Sequence, residues 1–155
     1  MTPPRGSGNA NDPHDLDRFV RAQEADYERA LAEITAGQKR SHWMWYIFPQ
    51  LDGLGVSPTA KRYAIKSVEE ARAYLQHPVL GPRLLACGEA LCRVEGRTAR
   101  DIFGSIDALK LRSCATLFAC VSPPGSVFGR LLDKYYGGEP DGRTLQLLGL
   151  VPDGC

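Results

Sequence analysis

Apolar positions recur at steps of three and four along most of the chain. Leu16, Phe19, Val20, Gln23, Tyr27, Ala30, Leu31 and Ile34 fall on one face of a single long helix. Arg18, Arg21, Glu24, Glu28 and Arg29 fall opposite and read as a solvated flank. Asp12 before Pro13, with Asp15 three residues on, marks the helix start, and Gly37 its stop. Ser67 and Glu70 spell a capping box ahead of an apolar face of Val68, Ala71 and Leu75, broken by His77-Pro78. Leu80, Leu84, Ala86, Cys87, Leu91 and Val94 form the next face. Thr98 with Asp101 caps a short turn, and Ser105 caps a helix whose Leu109, Cys114, Leu117, Phe118 and Val121 point inward. Pro123-Pro124-Gly125 ends it. "SVFGRLLDKYY" is a further helix ended by Gly137-Gly138, and "RTLQLLGL" closes the chain. No β-α-β alternation and no fixed-period repeat is present. The pattern predicts an all-α fold, a compact single-domain bundle of about six to eight short and medium helices over residues 12–152. Residues 1–11, rich in Pro, Gly, Asn and Ser, are expected to form a disordered tail.

One stretch has no period. In "SHWMWYIFPQ", residues 41–50, Trp43, Trp45, Tyr46 and Phe48 place four rings in six positions. As a strand, Trp43, Trp45 and Ile47 would share a side; as a helix, the stretch is apolar all round. Pro49 disfavours helix at Phe48, and the helical surroundings favour a short buried helix ending there. Four rings bury a large apolar area, while Trp N–H and Tyr O–H groups need partners. The run serves either as a core anchor or as a stacking wall for a flat ligand.

Composition narrows the field. The chain of 155 residues is 43% hydrophobic and 24% charged, with a formal net charge of +1. That balance supplies no global field for nucleic acid. No apolar run is long enough to span a membrane, and the N-terminus lacks a signal-peptide core, so a cytoplasmic location is expected. None of the five cysteines forms a CxxC pair. Cys87, Cys92, Cys114 and Cys120 read as small buried thiols, and Cys155 as exposed. His14, His42 and His77 are too scattered for a zinc site, and no metal or cofactor is expected.

Candidate chemistry surrounds the aromatic run. Lys39, Arg40 and His42 precede it; "GLGVSPTAKR" follows it. Gly53 and Gly55 allow a tight loop, and Ser57-Pro58 opens a helix whose first N–H groups favour anions. Lys61 and Arg62, placed in its first turns, can clamp a phosphate. The same loop is also what a plain helix cap looks like, and it is not a Walker A loop. Lys110, Ser113 and Thr116, three apart, share a face with Arg112 nearby, and form either a second wall or a solvated flank. His42 is either a general acid–base or a structural histidine. Asp52, Asp101 and Asp107 sit at turns or helix starts, where capping accounts for them, and no GxSxG elbow exists.

"DLDRFVRAQ", "KRSHWMWYIFPQLDGLG", "EARAYLQHPVLGPRL" and "DALKLRSCATLF" resemble, in that order, the family called domain of unknown function 1810, over roughly residues 15 to 150. The resemblance implies a small, mostly helical bacterial domain and brings no assigned reaction. Some members carry a "calpastatin" label, which does not suit a compact helical chain. The family usually has Ser and Met where this chain has Cys114 and Ala115, so no nucleophilic role transfers to position 114.

Phosphate donors beside an aromatic surface are the inventory of a nucleotide-like ligand site. The expectation is a pocket for a phosphate-bearing small molecule, built from His42, Trp43, Trp45, Gly53, Gly55, Lys61, Arg62, Lys110 and Ser113, with or without hydrolysis or transfer of part of the ligand. The alternative is a non-catalytic helical protein-interaction module. Neither reading involves nucleic acid or a membrane, and the oligomeric state is open.

Overall fold

The computed structural model describes residues 12–150. The tail 1–11, residues 151 and 152, and Cys155 lie outside the described residues. Among those described, the chain forms nine helices and no strand. They are α1 (Asp17–Glu24), α2 (Tyr27–Thr35), α3 (Met44–Ile47), α4 (Pro58–Arg62), α5 (Val68–Gln76), α6 (Leu80–Arg93), α7 (Ala99–Cys120), α8 (Val127–Tyr136) and α9 (Gly142–Leu147). None is long and apolar enough to cross a membrane.

The single long first helix expected from periodicity is two helices. The chain turns at Ala25 and Asp26, where the Asp26 carboxylate accepts the Tyr46 hydroxyl. Phe19, Gln23, Ala30 and Ile34 stay buried across the break, so the period survives although the axis does not. The start also differs. Asp12 and Pro13 form a turn, and the Asp12 carboxylate reaches forward to the N–H groups of Leu16 and Asp17 at 2.8 and 3.0 Å.

The aromatic stretch adopts a one-turn helix, α3, in the middle of the core. Trp43 is fully buried and meets Phe103 edge-on, with centroids 6.3 Å apart; Phe48 meets the same ring at 6.1 Å. Tyr46 leads a second series of rings through Tyr63, Phe19 and Tyr74 to Phe118 and Phe128. Two aromatic chains thus leave one short segment and run through the bundle.

Helix α7 kinks at Gly104, whose φ of 83° and ψ of 169° no ordinary residue adopts easily. The kink frees carbonyls of the preceding turn, and that of Ile102 accepts the Lys39 N–H at 2.7 Å. Ser105, expected as a cap, instead accepts Arg100 Nε at 3.0 Å. Leu109, expected inside, is 63% exposed. The kink rotates the first turn of the second segment out of line with the rest, and Cys114, Leu117 and Phe118 remain buried. In α5 Ala71 is buried as expected and Tyr74 joins it in the core, while Val68 and Leu75 are only half-buried. Cys87 and Cys114 are buried as expected, whereas Cys92 is half-buried and Cys120 exposed, since both lie near the C-terminal ends of their helices.

Candidate functional site

Lys61 and Arg62 form the last turn of α4, not its first, because that helix has only five residues. Ser57 satisfies its N-terminus by accepting the Ala60 N–H at 3.1 Å. The carbonyls at the other end point toward α1 and α5. Arg18 Nε donates to Arg62 O at 2.8 Å, Arg18 Nη2 to Ala64 O at 2.9 Å, and Lys66 Nζ to Lys61 O at 3.1 Å. Cations at a helix C-terminus complement its dipole. The loop from Asp52 to Ala64 is closed by a two-bond parallel bridge between Leu51 and Ile65.

Arg18 is the hub of this region. Its remaining donors reach His14 O at 2.7 Å, Asp15 O at 2.8 Å and the Glu70 carboxylate at 2.7 Å. All five guanidinium N–H positions are therefore directed at the protein itself. Glu70, buried in the core wall, also accepts the Lys66 N–H at 3.0 Å and so is neutralised from two sides. Sequence reasoning placed Arg18 on a solvated flank; nothing in the local pattern distinguishes it from Arg21, because the partners that bury it, Arg62 O, Ala64 O and Glu70, lie 44 to 52 residues away.

Around this neutral floor lies a cleft of about 570 Å3. Its walls carry Lys61, Arg62, Lys66 and His14, together with Pro13 and Asp15. Among the described residues, no carboxylate lies within ion-pair distance of Lys61, Arg62 or Lys66. No serine, threonine or cysteine lines the cleft, and neither does any Phe, Tyr or Trp. Its evident capacity is to hold a small anion.

The other residues singled out from the sequence gather elsewhere. Lys110 Nζ lies 5.2 Å above the half-buried Trp45 ring, and Lys39 Nζ 5.1 Å from the Trp43 ring. Both ammonium groups share Asp107, at 3.6 and 3.0 Å, so their charge is partly spent. Ser113 is buried and donates to Leu109 O at 3.2 Å, a bond within its own helix. Thr116 donates to Arg112 O and accepts the Asp141 N–H, tying α9 to α7. Arg112 donates to Glu139 O at 2.9 Å. Lys61 and Arg62 therefore border one cleft, while Trp43, Trp45, Lys110 and Ser113 belong to a separate group. The aromatic run approaches the cleft only through Tyr46, whose ring lies 5.2 Å from Tyr63, beside the Arg62 guanidinium.

His42 is exposed, and its side chain has no hydrogen-bond partner among the described residues. Gly53 and Gly55 do not line the cleft. Gly55 allows its loop to close on α4, since a Cβ there would stand 2.5 Å from Ala60 Cβ. Gly53, at φ 101°, lies under Leu147. Among the described residues no three His, Cys, Asp or Glu side chains are grouped to hold a metal ion.

Glu33 was missed by sequence reasoning. One of its oxygens accepts the N–H groups of Arg40, Ser41 and the Trp43 indole, and the other the Ser41 hydroxyl. Burial opposes the charge, but these donors outweigh it and hold the carboxyl at about 2. Glu33 thus organises the approach to the aromatic run, leaving the flanking basic residues around a structural node.

Among the described residues the chain is all-helical, with a cation-lined cleft at its α1–α4–α5 junction. The chain belongs to the family described as protein of unknown function (DUF1810), whose model matches residues 13–148. It is similar to the conserved hypothetical protein Rv1873 from Mycobacterium tuberculosis, whose crystal structure superposes with a TM-score of 0.87 at 54% identity. That alignment covers 89% of this chain and 99% of the other. No curated protein matches the chain.

Proposed function

We propose that the protein binds a phosphate-bearing small molecule in the cleft between the Pro13–Asp15 turn and the end of α4. The observation that carries this reading is the set of exposed Lys61, Arg62 and Lys66 around a cavity whose one buried guanidinium, Arg18, is consumed by Glu70 and backbone carbonyls. Three ammonium and guanidinium groups held together without a paired carboxylate repel one another, and a bound anion relieves that repulsion. Binding, rather than turnover, is the activity assigned, since the wall holds no nucleophile–base pair.

Isothermal titration of the full chain with inorganic phosphate and phosphate monoesters tests the reading. Saturable binding is expected, and Lys61→Ala combined with Arg62→Ala should abolish it while leaving the unliganded melting temperature nearly unchanged, because both side chains are exposed. Absence of binding, or equal binding by the double variant, refutes it.

A protein-interaction module is the second reading. It is favoured by Ile106 and Leu109, 72% and 63% exposed on α7 next to the Asp107–Lys110 pair.

A further inference from the structure

We infer that the ligand of this cleft is a phosphorylated polyol or sugar carrying one monoester phosphate, and that Asp15 reads its hydroxyl groups; the inference rests on the phosphate-binding reading above. Asp15 lines the cleft together with Lys61, Arg62 and Lys66, and it also lines an adjoining recess of about 200 Å3. It is tied to the protein through its backbone alone. Its N–H donates to Asp12 O at 3.1 Å, and its carbonyl accepts from Arg18 Nη1 at 2.8 Å. Among the described residues, its carboxylate takes no hydrogen bond and no ion pair. Glu70, the other acid of the cleft, is spent on Arg18 and the Lys66 N–H.

The backbone of Asp15 adds a second observation. Its φ of +50° is the sole positive value at a non-glycine residue among those described. Among residues with a Cβ, Asp and Asn reach that region most readily. Here Arg18 holds it, by donating to the carbonyls of His14 and Asp15. The turn keeps an unpaired acceptor on the wall of a cationic cleft.

An ionised carboxylate accepts hydrogen bonds and donates none. It repels a phosphate and must therefore meet another part of the ligand, one that carries donors. Hydroxyl groups fit, and a base does not, because no Phe, Tyr or Trp lines the cleft to stack on it. Charge points the same way. Arg18, Lys61, Arg62 and Lys66 against Asp15 and Glu70 leave a net +2, counting His14 as neutral. That balances one monoester phosphate of about −1.5 to −2, whereas a di- or triphosphate exceeds it.

Calorimetric titrations of the full chain with inorganic phosphate, glycerol 3-phosphate, ribose 5-phosphate and AMP test the assignment. Each is repeated on Asp15→Asn and Asp15→Gly, two residues that accept a left-handed backbone. The expected result is that the natural chain binds the two polyol esters about tenfold or more tighter than inorganic phosphate, the scale of one hydrogen bond to a charged group. Asp15→Gly should lose that preference and Asp15→Asn, which keeps a neutral acceptor, should weaken it, and both should bind inorganic phosphate at least as well as before. Equal affinity for phosphate and its polyol esters overturns the inference and leaves the phosphate reading standing. So does a preference that survives in Asp15→Gly, or tighter binding of AMP than of ribose 5-phosphate. Failure of every phosphate compound to bind removes both.

Discussion

Arg18 Nη2 and Glu70 Oε2 lie 2.7 Å apart across 52 residues of sequence, with only 9% and 2% of their side chains exposed. The pair joins α1 to α5 and underlies the candidate cleft. Removing the guanidinium leaves a buried carboxylate without its counter-charge and takes a donor from four carbonyls. Arg18→Met should therefore cost about 3–5 kcal/mol. Urea denaturation of Arg18→Met, Glu70→Gln and the double variant checks this. The double variant should be more stable than the sum of the two single losses predicts, because the uncompensated charge is gone.

Acid should unfasten the segment before the aromatic run. Glu33 is held near 2, well below its usual 4.5, so the folded state binds its proton less readily than the unfolded state. Its stabilising contribution is complete above 4.5 and is lost as pH falls from there toward 2. Glu33→Gln should reduce stability at neutral pH and flatten its dependence on pH in that window. Denaturant midpoints at several acid pH values, read by Trp fluorescence, report both effects.

The two tryptophans should behave differently. Trp43 is fully buried among Phe48 and Phe103, so Trp43→Ala should cost about 3–5 kcal/mol. Trp45 is half-buried with Lys110 over its ring, and Trp45→Ala should cost distinctly less. Fluorescence of the single-tryptophan proteins should show a blue-shifted, quencher-protected Trp43 and an accessible Trp45.

Thiol reactivity should separate the cysteines. Burial pushes the Cys87 thiol up to about 12 and that of Cys114 well above its usual range, whereas Cys120 is exposed. Under native conditions a thiol reagent should label Cys120 before the other cysteines of the described residues and spare Cys87 and Cys114 until the chain unfolds. Peptide mapping after timed labelling measures the order.

Close packing at α5 and α6 yields a further test. A Cβ on Gly81 would lie 2.1 Å from the Leu75 carbonyl oxygen, a backbone atom that cannot step aside. Gly81→Ala should cost about 1–3 kcal/mol, more than a typical surface change. Its thermal midpoint against the natural chain checks this.

Local chemistry was readable from the residues alone. Ser57 with Pro58 and Thr98 with Asp101 cap as their spacing implies, since a cap bonds only three residues ahead; Ser67 accepts the Glu70 N–H, but the Glu70 carboxylate turns to Lys66 N–H and Arg18 and leaves the box half-formed. The all-α class follows from the same short-range periodicity, which depends on turns of 3.6 residues and not on neighbours. The aromatic run could be located but not oriented, because apolar residues on every side leave no face to choose. Tertiary structure decided that Trp43 enters the core while Trp45 stays at its edge under Lys110. It also decided which charges are available. Arg18, Lys39 and Lys110 look like Lys61 and Arg62 in the sequence, yet Glu70 and Asp107 consume the first three. Coulombic and hydrogen-bond partners are set by distance in space, and here the partners of Arg18 and Lys39 come from helices far along the chain. That is why the cleft of His14, Asp15, Lys61, Arg62 and Lys66 emerged only once α1, α4 and α5 were packed together.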